Sequence, residues 1–186
     1  VHIKLDTGMH RLGFAEGDVP LLIRRLKNQN ALIPRSVFSH FVGSDSPQFD
    51  AFTRQQIEIF ERASVELQRA FPHKILRHIC NTAGIERFPG AQFDMVRLGI
   101  GLYGVSPIDN SVINNVSTLK TTILQIRDVA AEDTVGYSRK GHLERPSRIA
   151  AIPIGYADGL NRHLGCGHAY CLVNGKKAPY VGNICM

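Results

Sequence analysis

The order of apolar and polar residues along the chain changes near residue 116. Before it, short apolar runs alternate with longer segments of helical periodicity; after it, β-branched runs are separated by turns and the helical periodicity stops. Strands that alternate with helices predict a parallel sheet of βα units, whereas successive strands joined by turns predict an antiparallel β domain. We therefore expect an α/β domain at residues 1–116 and a β-rich domain at residues 117–186.

The first domain is expected to contain four strands and three helices. The predicted strands cover residues 1–5, 35–42, 75–80 and 95–98, and the predicted helices cover 17–28, roughly 48–71 and a segment that begins at Asn81-Thr82, a natural N-cap pair. The longest helix has an apolar stripe with helical spacing, formed by Phe52, Ile57, Ile59, Phe60, Ala63, Leu67 and Ala70.

The second domain is expected to be all β. Its strand-like runs cover residues 117–129, 148–154, 169–173 and 178–184, and Asn174-Gly175 is typical of a tight turn between two of them. No internal repeat or low-complexity segment interrupts the pattern.

Composition narrows the class of partner. A hydrophobic fraction of 44% and a charged fraction of 20% are ordinary for a globular protein. There is no apolar run long enough to span a bilayer and no signal-peptide pattern at residues 1–4. The net charge of +6 comes from scattered basic residues, which favours an anionic small molecule or simple solvation over nucleic acid. We expect no membrane and no nucleic-acid partner.

The four cysteines form no CxxC pair and match no zinc signature, so no metal site is expected. Cys80 and Cys185 lie in apolar runs and are expected to be small buried hydrophobes. This usage fits a reducing compartment and predicts a cytoplasmic location.

Polar or special residues follow each predicted strand of the first domain. They are Lys4, His40, Asn81-Thr82, and Arg97 with Gly99. In a β/α barrel the active site lies at the carboxyl ends of the strands. Lys4 and Arg11 also flank a turn predicted at Asp6-Thr7-Gly8, so we expect basic side chains to gather at this edge.

Five motifs, in order, carry a resemblance that covers essentially the whole chain. They are Lys4-Leu5-Asp6-Thr7-Gly8-Met9-His10-Arg11-Leu12-Gly13, Phe38-Ser39-His40-Phe41, Met95-Val96-Arg97-Leu98-Gly99-Ile100-Gly101-Leu102-Tyr103-Gly104, Pro153-Ile154-Gly155-Tyr156-Ala157-Asp158-Gly159 and Val181-Gly182-Asn183-Ile184-Cys185-Met186. With these motifs the chain resembles alanine racemase, a pyridoxal 5'-phosphate enzyme with an α/β barrel and a β-rich C-terminal domain. The resemblance implies the later part of a (β/α)8 TIM-like barrel followed by the first part of a mainly-β domain.

The resemblance also implies a function: interconversion of L- and D-alanine by a two-base mechanism, which supplies D-alanine for peptidoglycan in bacteria. It implies that Thr82, Gly99 and Ile100 hold the cofactor phosphate and that Arg97 faces the pyridine nitrogen. An arginine donates a hydrogen bond there without giving up its proton, which suits a racemase that must avoid transamination and decarboxylation.

The remaining site residues come from the same resemblance. Tyr156 is expected to be the base that acts on L-alanine, with His40 as a relay between it and Arg97. Arg11 is expected to bind the substrate carboxylate and Met186 to line the pocket. In many family members the lysine at the position of Lys4 is a carbamate that orients the arginine. The family implies a homodimer with shared active sites, in which Tyr156 completes the partner's site. By contrast, Asp158 is expected to form a turn.

One family segment has no counterpart here. The lysine that binds the cofactor covalently lies in a segment similar to Val-Lys-Ala-Asn/Asp-Ala-Tyr-Gly-His-Gly, and no lysine of the chain has that context, including Lys74, Lys140, Lys176 and Lys177. We therefore expect an internal piece of the enzyme, which exposes strand edges, does not fold stably by itself and is inactive by itself.

Three other functions remain open. The first is a barrel racemase for serine or for a broader set of amino acids. The second is a barrel decarboxylase, which Arg97 argues against because an acidic residue is expected to face the pyridine in that class. The third is a binding module without catalysis.

Overall fold

The computed structural model describes all 186 residues and divides them into two compact units, Val1–Thr118 and Leu119–Met186. The first unit contains a parallel three-stranded sheet in the order β1, β2, β3, formed by His2–Lys4, Ser36–Phe38 and Leu76–His78. Each strand is shorter than the apolar run that predicted it, because the chain leaves the sheet soon after the carboxyl end of the strand.

The register of the sheet decides which side chains share a face. His2 is paired with Ser36, and Lys4 lies in one row with Phe38 and His78. Since side chains alternate across a strand, these five residues lie on one face. The opposite face carries Ile3, Val37 and Arg77, and its two apolar side chains, Ile3 and Val37, are buried in the core.

Residues 95–98, predicted to be a strand, do not form one. Two backbone bonds connect this stretch to the third strand, from Asp94 N to Arg77 O at 3.0 Å and from Arg97 N to Cys80 O at 3.0 Å. Phe93, with φ of 49°, begins the stretch with a left-handed turn. Bonds spaced three residues apart do not make a continuous ladder, so the segment runs beside the sheet as an extended loop.

Three α-helices complete the first unit: α1 at Val19–Lys27, α2 at Asp50–Arg69 and α3 at Thr82–Arg87. A core of apolar side chains forms between the sheet and the first two helices, with Val37, Phe60 and Leu67 fully buried. None of the helices is both long enough and apolar enough to cross a membrane.

The apolar stripe predicted for α2 is partly wrong. Phe60, Ala63 and Leu67 are buried, but Phe52 is exposed. Polar side chains occupy part of the buried face instead, namely Thr53, Gln56 and Ser64. Gln56 bonds backbone groups of the loop at His40 and Val42, whereas Thr53 and Ser64 donate to carbonyls three or four residues earlier in the chain. Periodicity reveals neither role.

The second unit is built from antiparallel strand pairs. β4 at Gln125–Val129 pairs with β7 at Ser147–Ala151, β5 at Thr134–Val135 pairs with β6 at Gly141–His142, and β8 at Tyr170–Val173 pairs with β9 at Lys176–Pro179. The predicted runs 117–129 and 148–154 contain β4 and β7. The run 178–184 is misplaced, because the last strand begins at Lys176, directly after the turn.

The Asn174-Gly175 turn itself is as predicted. Both residues have positive φ, 49° and 77°, as a two-residue hairpin turn that matches the twist of its strands requires.

The cysteines follow the sequence expectation only in part. All four are free thiols. Cys80 is fully buried, and burial raises the pKa of its thiol to about 11. Cys185 was expected to be buried but is exposed. Its segment is a loop that is held by its backbone, since Cys185 O accepts from Tyr156 N, and its side chain stays exposed.

Candidate functional site

The turn after β1 brings the first motif back onto the strand. The Asp6 carboxylate accepts hydrogen bonds from the amides of Gly8 and His10, both at 3.0 Å, and Phe14 N donates to Lys4 O at 2.9 Å. Gly13 has φ of 125°, and a Cβ there would lie 2.7 Å from Asp6 N. The tight return therefore requires glycine at this position.

Arg97 is held at the carboxyl edge of the sheet by side chains and carbonyls of β2, β3 and the residues that follow them. Its Nη2 donates to Ser39 O at 2.6 Å and to His40 Nδ1 at 3.0 Å. Its Nη1 donates to His78 Nδ1 at 2.6 Å and to His78 O at 3.3 Å. The guanidinium also lies over the Phe38 ring, 5.2 Å from its centroid.

This arrangement fixes the charge and the free donor of Arg97. Burial lowers the pKa of Arg97, yet a guanidinium keeps its proton in proteins. Both terminal nitrogens are occupied, and the Nε–H has no hydrogen-bond partner in the structure. One N–H of a fixed cation thus remains available to a ligand.

His40 is neutral in this setting. Burial lowers its pKa first, and the positive charges of Arg97, Lys4 and Arg11 lower it further. Arginine only donates, so His40 Nδ1 accepts and the ring proton lies on Nε2. His40 therefore connects a cation on one side with a free N–H donor on the other.

Three cations lie near one another at this edge without a carboxylate to neutralise them. None of the ion pairs in the structure involves Lys4, Arg11 or Arg97. Both Lys4 and Arg11 are close enough to His40 to affect its pKa. The gathering of basic groups predicted from the sequence is therefore present, and it suits an anionic ligand.

The Thr82 hydroxyl organises a second group of donors. Asn81 is the N-cap of α3, as predicted, and accepts from Gly84 N at 2.9 Å. Thr82 Oγ1 accepts from Gly99 N at 3.1 Å and from Gly101 N at 3.2 Å. Both lone pairs are used, so the hydroxyl proton is left to donate to a ligand.

Gly101 of this loop is required by space, whereas a Cβ on Gly99 would meet only Thr82 Oγ1, at 3.7 Å. A Cβ on Gly101 would lie 2.8 Å from Thr82 Cγ2 and 2.7 Å from Leu98 Cδ1. Ile100 begins a 3-10 helix at Ile100–Tyr103, and amides in a first helical turn have no partner within the helix. A hydroxyl and nearby amides are the donors that a phosphate group takes. With the N–H of Arg97 as a donor for a ring nitrogen, this chemistry fits pyridoxal 5'-phosphate.

Tyr156 and Met186 lie together in the second unit. Tyr156 N donates to Cys185 O at 2.9 Å, and Ala157 N donates to Met186 O at 3.1 Å. Asp158 forms a turn, as expected, by accepting from Gly155 N at 2.9 Å. The Tyr156 ring is partly exposed, and the Arg162 guanidinium lies 5.4 Å from its centroid.

The structure thus forms two groups from the predicted residues. Lys4, Arg11, His40, Arg97 and the Thr82 loop belong to the first unit, whereas Tyr156 and Met186 belong to the second. The relay from His40 to Tyr156 stays a prediction.

Sequence reasoning missed several polar residues that support the first group, namely His2, Ser36, Ser39, Gln56 and His78. The sequence signal that could have identified them was a polar residue inside an otherwise apolar strand or on an otherwise apolar helix face. The pairing of the strands was needed to show that these residues meet.

Comparison with known families gives two matches along the chain. The model described as "Alanine racemase, N-terminal domain" matches residues 1–107, and the model described as "Alanine racemase, C-terminal domain" matches residues 116–186.

Curated relatives of the chain are also named alanine racemase. Alanine racemase 2 of Caldanaerobacter subterraneus subsp. tengcongensis is 38% identical over 193 residues, which covers 100% of this chain and 49% of the relative. Alanine racemase of Aeromonas hydrophila subsp. hydrophila is 39% identical over 190 residues, which covers 99% of this chain and 51% of the relative. The chain spans about half the length of the curated relatives it matches.

Solved structures that resemble the chain are alanine racemases as well. The biosynthetic alanine racemase of Pseudomonas aeruginosa matches 100% of the chain with a TM-score of 0.83 at 32% identity, over 51% of its own length. That of Streptomyces coelicolor A3(2) matches 100% of the chain with a TM-score of 0.88 at 28% identity, over 51% of its length. An alanine racemase of Bartonella henselae with covalently bound pyridoxal phosphate matches 99% with a TM-score of 0.78 at 30% identity, over 50% of its length. The predicted fold class, part of a β/α barrel followed by part of a mainly-β domain, is confirmed.

Proposed function

The chain belongs to the alanine racemase family, and on this premise we propose that the protein carrying it interconverts L- and D-alanine with pyridoxal 5'-phosphate. The observation that supports this best is the fixed Arg97 guanidinium, whose terminal nitrogens are all occupied by protein partners. When bound, the cofactor supplies an electron sink for the charge left at the substrate Cα after its proton has gone.

Two groups of the first unit hold the cofactor in this proposal. The Thr82 hydroxyl and the Ile100 N–H bind the phosphate, and the Gly99 N–H holds that hydroxyl in place by donating to Thr82 Oγ1. The Arg97 Nε–H donates to the pyridine nitrogen. Because guanidinium does not transfer its proton, Arg97 would hold the pyridine nitrogen by a hydrogen bond without protonating it.

Tyr156 is the proposed base for the Cα proton of L-alanine. In this proposal a neutral His40, protonated on Nε2, donates to the tyrosine oxygen that the partner subunit supplies and stabilises its negative charge, while Arg97 fixes the opposite nitrogen of His40. Met186, which is tied by its backbone to the Tyr156 turn, lines the substrate pocket. We propose that Tyr156 acts in a homodimer with shared active sites, and that the enzyme is cytoplasmic.

Arg11 is the proposed partner of the substrate carboxylate. We propose further that Lys4 is a carbamate: its amine adds to carbon dioxide, one C–N bond forms and one proton is released. The product is an anion, which attracts Arg11 through a charge-assisted bond, whereas two neighbouring cations repel one another. Native mass spectrometry would detect the added carbon dioxide, and a bare amine at Lys4 would contradict this part.

The test is alanine racemisation by the product of the gene that encodes this chain. We expect conversion of L-alanine to D-alanine with pyridoxal phosphate, and Tyr156→Phe should reduce kcat for L-alanine by roughly 10²–10⁴-fold, the usual contribution of a general base. Asp158→Asn is the matched control, because Asp158 only forms the turn beside Tyr156 and the amide oxygen keeps its bond to Gly155.

Each alternative function has its own outcome. Faster conversion of serine than of alanine would indicate a serine or broad-specificity racemase. Cofactor binding without conversion of any amino acid would indicate a binding module. We expect the 186 residues by themselves to be inactive, and measurable conversion by them would contradict that.

A further inference from the structure

A row of hydrogen-bonded side chains leads from Arg97 across the sheet. His78 on β3 accepts from Arg97 Nη1 at 2.6 Å, His78 Nε2 lies 3.2 Å from Ser36 Oγ on β2, and Ser36 Oγ lies 2.7 Å from His2 Nδ1 on β1. The strand register brings these three residues to one face. We call His78, Ser36 and His2 the histidine–serine row.

The positions of the protons in the row follow from its first bond. Because Arg97 only donates, His78 Nδ1 carries no proton and the ring proton lies on Nε2. His78 Nε2–H then donates to Ser36 Oγ. Ser36 is 1% exposed, so its hydroxyl proton goes to the acceptor in reach, His2 Nδ1. Every bond of the row runs in the same direction, away from Arg97.

The surroundings keep His78 neutral and its ring fixed. Burial, Arg97 and His2 lower the pKa of His78 to about 4. If His78 were charged, its Nδ1 would also carry a proton, and that proton would face the N–H of Arg97. The ring stacks on Phe38 with centroids 5.1 Å apart and an interplanar angle of 3°, so it cannot turn without losing this contact.

We propose that the histidine–serine row is a positioning device for Arg97. Its members do not touch the reacting atoms. His78 and the carbonyl of the same residue occupy Nη1, and Ser39 and His40 occupy Nη2. Ser36 accepts the Nε2 proton that the matching tautomer of His78 carries, which holds the ring in place. The Nε–H is the donor that remains. That this donor serves a pyridine nitrogen rests on the proposed function, whereas the order of the protons does not.

Nitrogen-15 NMR of the histidine-labelled gene product without cofactor tests the order of the protons. At pH 7.5 we expect His78 to be neutral and protonated on Nε2, and His2 Nδ1 to accept from the Ser36 hydroxyl. Ser36→Ala should leave His78 in this state and let His2 populate both tautomers, and Ser36→Thr, which keeps the hydroxyl, should restore the single tautomer. A proton on His78 Nδ1, or a His2 spectrum that Ser36→Ala does not change, would overturn the row.

Cofactor affinity tests the positioning role separately. For variants whose far-UV circular dichroism shows that they fold, pyridoxal 5'-phosphate is titrated by absorbance. His78→Leu removes the acceptor for Arg97 and should weaken binding about tenfold, equivalent to one hydrogen bond to a charged group. His78→Asn keeps an oxygen acceptor near the Nδ1 position and should retain most of the affinity.

The outcomes are distinguishable. Equal affinity of wild type and His78→Leu would overturn the positioning role. Failure of the wild type to bind the cofactor at all would overturn the proposed function and the role of the Nε–H together, even if NMR finds the expected protons.

Discussion

Gln56 connects the candidate site to the longest helix, and its replacement should be costly. The side chain is fully buried on α2. Its Nε2 donates to Thr7 Oγ1 and to His40 O, both at 3.1 Å, and its Oε1 accepts from Val42 N at 3.1 Å. One amide therefore joins the turn after β1 to the segment that carries His40.

The direction of the bonds around Gln56 is also determined. Ser39 Oγ donates to Leu5 O at 2.8 Å, so it accepts from Thr7 Oγ1 at 2.8 Å, and Thr7 in turn accepts from Gln56. The proton of Thr7 is committed to Ser39. If an acceptor replaced the amide nitrogen of Gln56, Thr7 would have no proton left to donate to it.

Gln56→Met keeps the approximate size of the side chain and removes all three bonds. A typical bond contributes about 1 kcal/mol net, and each buried group left unpaired costs about 1–3 kcal/mol. The bonds to His40 O and Val42 N are only partly buried, so water can replace part of what is lost, and we expect the free energy of unfolding to fall by about 3 kcal/mol, about 1 kcal/mol for each bond. Because the chain contains no tryptophan, urea unfolding is best followed by far-UV circular dichroism of the gene product.

Gln56→Glu is the matched variant. At pH 8 its carboxylate keeps the bond from Val42 N but faces the oxygens of Thr7 and His40, so the loss should be at least as large. Protonation at pH 5 restores one donor and should recover part of it. A loss below about 1 kcal/mol for Gln56→Met, the scale of a single bond, would refute the reasoning, as would a Gln56→Glu loss that is the same at both pH values.

Three further predictions concern stability. The pKa of His78 is lowered from 6.5 in the unfolded chain to about 4 in the folded protein. Between these pH values the unfolded chain binds more protons, so stability falls as the pH falls. At about 1.4 kcal/mol per pKa unit, up to about 3 kcal/mol of stability that is present above pH 6.5 should be lost by pH 4. His78→Asn should flatten this dependence in urea titrations, and an unchanged slope would contradict it. Gly13→Ala, which places a Cβ against backbone at positive φ, should cost about 1–3 kcal/mol, with Gly17→Ala, where nothing lies within 4 Å, as its thermal-unfolding control. Asn81→Ala should cost about 1 kcal/mol by loss of the α3 cap and Asn81→Asp much less; equal melting temperatures for the two would argue against the cap.

Much of the candidate site was visible in the sequence. The carboxyl ends of parallel strands meet at one edge, so residues such as Lys4 and His40, which lie at or just after the ends of β1 and β2, are brought together by topology alone. Arg97 joins them from a loop beside β3. The turn at Asp6-Thr7-Gly8 and the cap at Asn81 were predictable because their signals are local: the bonds join residues at most four apart in the sequence.

Other features were not predictable, for equally physical reasons. Residues 95–98 have the composition of a strand but lack a continuous ladder. Gln56 lies on a helix face where periodicity favours apolar residues, and it is buried there because it bonds Thr7, His40 and Val42, which are far away in sequence.

The sequence by itself determined the family, the class of fold and the residue types at the strand ends, since these depend on motifs and on periodicity along the chain. Only the tertiary structure decided how Arg97 is held. Its partners come from two segments, up to 58 residues away, and their register follows from strand pairing. Hydrogen bonds act over about 3 Å, a distance that the order of residues does not specify.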